Sequence, residues 1–327
     1  MIVKSSLPQF PAGARVCCFG DSITHNGTWM GAMFEQYRLL QPEKQVRFYN
    51  CGISGGGMHT ILDHLERDLA AYRPTHAVIL CGVNDMLREM YEPGCPLDVR
   101  RMLRTRMRAI QEYGLNLLDI LTRLTGAGVR VLLLPPLPYD ETQESPTPLL
   151  PDCESTVRIM GQLCRQAAGA FGCDFLEVHD PMQRLAGENR DIPLIQPDRI
   201  HPTPVGQMLL ARMLLHAQGF DGMLAGSVRE TLTAPPLPLS ALNRRRMETE
   251  NTLQTLDAID LMVFLPMGAL PLERKIEIAD HYVHGGMPDY GVNQAYFEGA
   301  LALYAEKAAH REELLQEYLR LTEEMAV

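Results

Sequence analysis

The residues best suited to chemistry lie in four short segments scattered along 327 positions. "CCFGDSIT" ends an apolar run on a serine, Ser22. "NCGISGGG" follows a second apolar run and carries Gly52 and Gly55. "ILCGVNDM" follows a third and presents Asn84 and Asp85. "PDRIHPTPVGQ" comes late and holds Asp198 three residues before His201. A hydroxyl, an imidazole and a carboxylate suit nucleophilic attack on an acyl carbon. The hydroxyl is a poor nucleophile until a base removes its proton, and an imidazole titrates near neutrality, where that task is done. A carboxylate then fixes the imidazole tautomer and steadies its cation. The oxyanion that develops needs donors. Three are at hand: the Ser22 backbone N–H, the Gly55 N–H, which a substrate can approach because no Cβ intervenes, and the Asn84 side-chain amide. Gly52 is an alternative donor to Gly55.

Such distant residues need a frame that gathers them. Apolar runs at 15–19, 45–50, 76–81, 129–134 and 174–178 show little in-out alternation, as strands covered on both faces do. Helical patterns at 29–40, 58–71, 97–125, 154–171 and 204–218 lie between or after them. In the third helix, Leu115, Leu118, Leu121 and Leu124 repeat every three residues and are expected on one face. This alternation predicts an α/β fold, a three-layer α/β/α sandwich around a five-stranded parallel sheet of order 2-1-3-4-5, flavodoxin-like in topology. Ligands of such sheets bind beyond the carboxyl ends of the strands. Three of the four segments sit just past predicted strands, and the fourth sits just before the last helix of this unit.

In that order and placement the segments resemble the blocks of the SGNH hydrolases, the GDSL esterase/lipase family. "GDSIT" is similar to the first block, "NCGISG" to the second, "GVND" to the third and "DRIH" to the fifth. The resemblance spans about residues 14–220. It implies a nucleophile at Ser22, an acid–base pair at His201 and Asp198, oxyanion donors at Ser22, Gly55 and Asn84, and no cofactor. Gly56 and Gly57 stand where the family more often has Asp and Thr. No Gly-x-Ser-x-Gly turn surrounds Ser22, which speaks against the α/β-hydrolase fold. The implied activity is hydrolysis of short-chain carboxylic esters, with O-acetyl groups on a carbohydrate first. A lysophospholipase or acyl-thioesterase is the alternative within the family, and a non-catalytic binding module or scaffold the alternative outside it.

Other residues near these segments have plainer roles. Asp21 and Asp85 are expected to hold their turns. His25 and Met86 stand close enough to line a pocket or to support it, as do Leu87, Met90 and Tyr91. His59 and His64 are five apart, not the four that would put a metal pair on one helix face, and no metal is expected. The glycine triplet lacks the Lys-Ser/Thr of a phosphate-binding loop. Residues 135–152 carry six prolines and no periodicity, which marks them as an irregular segment and a candidate specificity loop. The eight cysteines form no Cys-x-x-Cys pair and are expected as buried thiols, with Cys17 and Cys18 on opposite faces of one strand.

Bulk properties exclude several partners. The net charge of −10 and the absence of a long basic run argue against nucleic acid. No apolar run approaches the roughly 18 residues that span a bilayer, and the first residues lack a secretory h-region. A cytoplasmic protein acting on a small ester without a membrane is the expectation. The strand–helix alternation stops near residue 226, giving a hydrolase-type unit at 1–225 and a helical extension at 226–327. "TAPPLPLS" (233–240) looks like a stiff connector. Helices are expected at 241–264, 271–282 and 292–325, broken by "HGGMPDYG" (284–291), with "LMVFLP" (261–266) buried and Phe297, Leu301, Tyr304 and Ala308 forming one stripe. The extension is expected to pack on the body or to join copies into a homo-oligomer.

Overall fold

Strand β1 (Arg15–Gly20) is buried along all but its first residue because its side chains feed two cores. Val16 and Cys18 enter one, Cys17 and Phe19 the other, so the adjacent cysteines do point to opposite faces. β3 (His76–Leu80) and β4 (Arg130–Leu133) divide in the same way. With β2 (Arg47–Gly52) and β5 (Asp174–Phe175) they form a sheet of order β2-β1-β3-β4-β5 with every pairing parallel. A computed structural model describes residues 2–4, 6–286 and 294–327 of this chain.

Helices α2 (Thr28–Leu40), α6 (His179–Glu188) and α7 (Pro204–Ala217) cover one face. Helices α3 (Met58–Tyr72), α4 (Val99–Gly126) and α5 (Cys153–Phe171) cover the other. The direction of the chain reverses across the sheet between β1 and β3. That switch point is where the loops diverge and leave a crevice, and α1 (Ser22–His25) begins there.

Three expectations are corrected. β5 stops after Phe175, not at 178: Leu176 makes one more ladder bond to Leu133, and then the Glu177 carboxylate accepts from the His179 and Asp180 N–H groups and starts α6. β2 begins at Arg47, not 45, because Gln45 adopts a left-handed conformation that closes the preceding turn. The leucine stripe of α4 does not face one way. A step of three falls 60° short of a full turn, so the row winds around the helix: Leu121 and Leu124 are buried, whereas Leu115 and Leu118 are exposed. The buried face runs instead through Ala109, Tyr113, Leu117 and Ile120.

Beyond residue 226 come α8 (Val228–Thr233), α9 (Ala241–Ile259), α10 (Leu272–His281), α11 (Gln294–Lys307) and α12 (Arg311–Ala326). α9 runs on into a π-helical turn, Asp260–Phe264. Leu256, Ile259, Val263, Phe264, Leu301, Tyr304 and Ala308 form a third core, which Phe297 flanks, so the expected stripe on α11 is real. Of "LMVFLP" Val263 and Phe264 alone are buried, and Leu265 is exposed, which corrects the expectation that the whole run is covered. The expected break at 284–291 and the start of the expected helix at 292 fall mostly outside the described residues. The connector at 233–240 is held against the body, with Leu237 buried and Arg212 donating to the Pro235 carbonyl.

These helices close the free edge of the sheet. β2 is an edge strand, and an open edge offers unpaired N–H and C=O groups. The Asn50 N–H donates to the Tyr318 hydroxyl at 3.1 Å, and Gln254 donates to the Asn50 carbonyl at 2.6 Å. Behind that contact lies a buried ion pair, Arg246–Glu250 at 2.6 Å, with Tyr318 donating to Glu250 at 2.6 Å. Ser240 caps α9 and also reaches Glu35 on α2. Among the described residues no single helix is long and apolar enough to cross a membrane.

Candidate active site

The serine is presented by a turn that the local sequence enforces. β1 ends at Gly20, where a Cβ would lie 2.3 Å from the Leu80 carbonyl oxygen, so no other residue lets the turn sit this close to β3. Asp21 accepts from the Ile23 N–H at 2.9 Å and caps α1. Ser22 therefore occupies the first helical position, with a backbone N–H that the helix itself leaves unbonded.

From Ser22 a continuous hydrogen-bond chain runs to a carboxylate. Ser22 Oγ lies 2.7 Å from His201 Nε2, and His201 Nδ1 lies 2.5 Å from Asp198 Oδ2. The other Asp198 oxygen accepts from the Ile200 and His201 N–H groups, both at 3.0 Å. A carboxylate against Nδ1 demands the tautomer with its proton there, which leaves the Nε2 lone pair facing Ser22. Burial acts to raise the Asp198 carboxyl, but the His201 contact and the two N–H groups outweigh it and hold Asp198 below its usual range. The loop is braced on both sides: Gln196 N–H donates to the His201 carbonyl at 2.7 Å, and Thr203 caps α7 ahead of Pro204. Both Asp198 and His201 keep about a third of their side-chain surface open, so the chain ends in solvent, not in the core.

The glycine turn after β2 sorts its own donors. The N–H of Gly52 is bound by the Asn50 side chain, that of Ile53 by the Gly20 carbonyl, that of Gly56 by Ile53, and that of Gly57 by Thr60. Among the described residues, Ser54 and Gly55 keep N–H groups free for a ligand, and this favours Gly55 over Gly52. Gly55 has φ of +79°, a conformation glycine adopts without strain. Asn84 Nδ2 donates to the Gly56 carbonyl at 2.8 Å, which fixes the amide and leaves its second N–H available. Asp85 accepts from the Met58 N–H at 2.9 Å and supplies the cap that Gly57 cannot. A Cβ at Gly57 would stand 2.7 Å from Asp85 Oδ1, so the third glycine exists to admit that carboxylate. Burial raises the Asp85 carboxyl, and the Met58 N–H opposes it.

Asp21 is buried beneath the site. Burial pushes its carboxyl up to about 6, while the Ile23 N–H and the nearby His201 ring pull the other way. His25 is buried beside Asn251 of α9. Burial pushes it down to about 4, opposed by a side-chain bond to Asn251. Met86 and Tyr91 are buried packing residues, not open pocket walls, and Leu87 and Met90 are half-buried. His59 touches Thr60, and His64 pairs with Asp68 at 2.7 Å. Among the described residues no three His, Cys, Asp or Glu side chains are grouped to hold a metal ion. The cysteines are free thiols: six are buried, Cys95 and Cys173 half-buried.

One residue of the "DRIH" segment carried no signal in its type. Arg199 is buried at φ of +70° and donates to the carbonyls of Asp140, Gln143 and Thr147. It strings residues 140–147 against the backbone of the Asp198–His201 loop, where the Asp140 N–H returns a bond to the Arg199 carbonyl. The irregular segment at 135–152 is thus anchored to the site by a side chain whose targets are backbone groups.

The parallel α/β sheet thus places an imidazole-bound serine beyond its switch point. Residues 18–209 match the GDSL-like lipase/acylhydrolase family, more than half of the chain, and the protein belongs to that family of ester-bond hydrolases. Its sequence is 25% identical over 230 residues to an acetylxylan esterase from Geobacillus stearothermophilus, a match spanning 64% of this chain and 96% of that protein. The structure of Axe2, an acetylxylan esterase from the same organism, superposes with a TM-score of 0.51 at 22% identity over 66% of this chain and 99% of the other. BT4096, a gut microbial diltiazem-metabolizing enzyme, superposes with a TM-score of 0.77 at 19% identity over 98% of this chain and 97% of its own. The fold likeness to BT4096 therefore extends through the C-terminal helices.

Proposed function

We propose that the protein is a serine esterase that removes short acyl groups, acetyl first, from a hydroxylated substrate of the carbohydrate class. The observation that carries this reading is the hydrogen-bond chain from Asp198 through His201 to the half-exposed Ser22 oxygen. Ser22 Oγ attacks the ester carbonyl carbon as its proton passes to His201 Nε2. The carbonyl oxygen becomes an oxyanion that meets the Ser22 and Gly55 N–H groups and the free Asn84 amide hydrogen. When the tetrahedral centre collapses, the carbon–oxygen bond to the alcohol breaks and His201 hands that oxygen its proton. Water then attacks the acyl-Ser22 ester and gives a proton to His201. The acid leaves, and Ser22 recovers its hydroxyl. Asp198 holds the imidazole and balances its charge in each half.

The sequence similarity to an acetylxylan esterase supports a sugar-borne acetyl ester as substrate. The test is release of acetate from acetylated xylose oligomers, and of nitrophenol from nitrophenyl acetate, by the wild type and by Ser22→Ala. Turnover of both esters that disappears in the variant is expected. Nitrophenyl acetate hydrolysis without activity on any acetylated sugar would leave an esterase and remove the carbohydrate. No hydrolysis of any ester would remove both.

A further inference from the structure

Two side chains of the C-terminal helices reach the glycine turn that offers the oxyanion donor. The π-helical turn that extends α9 carries Met262, and a Cβ at Gly55 would lie 3.5 Å from Met262 Cε, ordinary contact distance. From α11, the Tyr296 side chain comes near Ser54. Ser54 and Gly55 are the residues of that turn whose N–H groups find no partner among the described residues. Both visitors are only partly covered, Tyr296 being 41% exposed. Neither belongs to the third core, which takes Val263 and Phe264 from the same π-turn and leaves Met262 outside it. A π-turn adds a residue to the helical circuit and rotates its side chains off the buried face. Here it aims a flexible thioether at the site.

Strand order shows which part of an ester these side chains would meet. Gly55 lies beyond the edge strand β2, on one flank of Ser22. Asp198 and His201 lie against residues 140–147, which come after β4, on the other flank. The leaving oxygen must face His201 to receive its proton. With the leaving oxygen turned to His201, the flank that carries Gly55 is left to the oxyanion and the acyl substituent.

We propose that Met262 and Tyr296 form the far wall of the acyl pocket, so that the C-terminal helices set the length of acyl chain the site accepts. Acetyl fits in front of this wall, and each added methylene meets Met262. This assignment rests on the esterase reading above. It places length selection outside the segment that matches the family, which ends at residue 209.

The experiment is kcat/KM for nitrophenyl acetate, butyrate and hexanoate with wild type, Met262→Ala, Met262→Phe, Tyr296→Ala and Tyr296→Phe, each checked for an unchanged melting temperature. Pocket contacts of methylene size discriminate by about 10-fold or more. The butyrate-to-acetate ratio is expected to rise by about 10-fold in Met262→Ala, to rise in Tyr296→Ala, to fall in Met262→Phe and to stay at the wild-type value in Tyr296→Phe. Ratios that stay within about two-fold in every variant, while acetate is still hydrolysed, overturn the wall and leave the esterase reading intact. A change seen only when nitrophenol is replaced by a bulkier alcohol also overturns it, because the wall would then face the leaving group. A wild type inactive on all three esters overturns the esterase reading itself, and the wall with it.

Discussion

Two hydrogen-bonded chains of side chains cross this molecule, and they use nearly the same chemical groups. At the rim of the sheet, Asp198, His201 and Ser22 join a carboxylate, a nitrogen base and a hydroxyl at 2.5 and 2.7 Å. At the seam between the sheet and the C-terminal helices, Glu250, Arg246 and Tyr318 join a carboxylate, a guanidinium and a hydroxyl at 2.6 Å for both carboxylate contacts. The rim chain keeps about a third of its Asp198 and His201 side chains open, whereas the seam pair is essentially sealed. At the rim the base is open to a ligand and to water. At the seam the guanidinium keeps its proton, and the carboxylate accepts from Arg246, Tyr318 and Asn50. On the proposed reading, access and the kind of base, not the inventory of groups, separate chemistry from cohesion.

The comparison can be broken most decisively at the rim. Ser22→Ala should lower kcat by about 10⁴-fold or more while leaving the melting temperature in place, because it deletes a half-exposed oxygen and no packing. A large loss of stability would show that the rim also holds the fold together. At the seam the expected pattern inverts. Glu250→Leu leaves the Arg246 charge buried without its partner and should cost about 3–5 kcal/mol of unfolding free energy in denaturant melts. Replacing both members, Arg246→Met with Glu250→Leu, should recover most of that loss, since two apolar side chains need no counter-charge. If the double variant is as unstable as the single one, the pair itself is the source of cohesion.

Asn84→Ala sharpens the picture on the rim side. It removes the amide proposed as an oxyanion donor and should lower kcat by about 10²–10³-fold, and it also frees the Gly56 carbonyl. Mixed loss of activity and stability is the signature expected where the two kinds of network meet.

The smallest effect separates the residue that caps α1 from the one that ends it. Burial lifts Asp21 from 3.8 to about 6, so between those values the folded chain holds a proton that the unfolded chain has released, and stability falls as pH rises. Burial lowers His25 from 6.5 to about 4, so between those values the unfolded chain binds a proton that the folded chain refuses, and stability rises with pH. Each slope amounts to at most about 3 kcal/mol, and they oppose one another across the shared window. Asp21→Asn should leave a stability that climbs from pH 4 to 6.5. His25→Gln should leave one that declines from pH 4 to 6. Thermal melts at half-unit pH steps read both slopes, and parallel profiles for the two variants would refute the cancellation.

How much of the structure is legible in the chain depends on how local each cause is. The strands β1, β3 and β4 announce themselves because both of their faces are covered, which writes an unbroken apolar run. The segments around Ser22, Gly55, Asn84 and His201 were legible because short turns carry them. Asp198 reaches His201 across only three positions, so their spacing already contains their contact. The short β5 was not legible, since a side chain two residues away, Glu177, ends it. Arg199 was hidden because its partners are carbonyls, and backbone oxygens have no residue type. The seam was hidden by distance: Asn50 and Tyr318 are 268 residues apart, and neither carries a mark of the other. Met262 reads as one more apolar residue in a run, and only the π-turn reveals that it faces outward from the core.

The bond between Asn50 and Tyr318 also has a bearing on how the chain matures. During synthesis all five strands emerge long before the last helix does, so the nascent sheet assembles with its β2 side bare. An exposed strand flank of that kind recruits other polypeptides by backbone pairing. Until the remaining helices are translated that flank stays open to such pairing, and the arrival of Gln254 and then Tyr318 closes it.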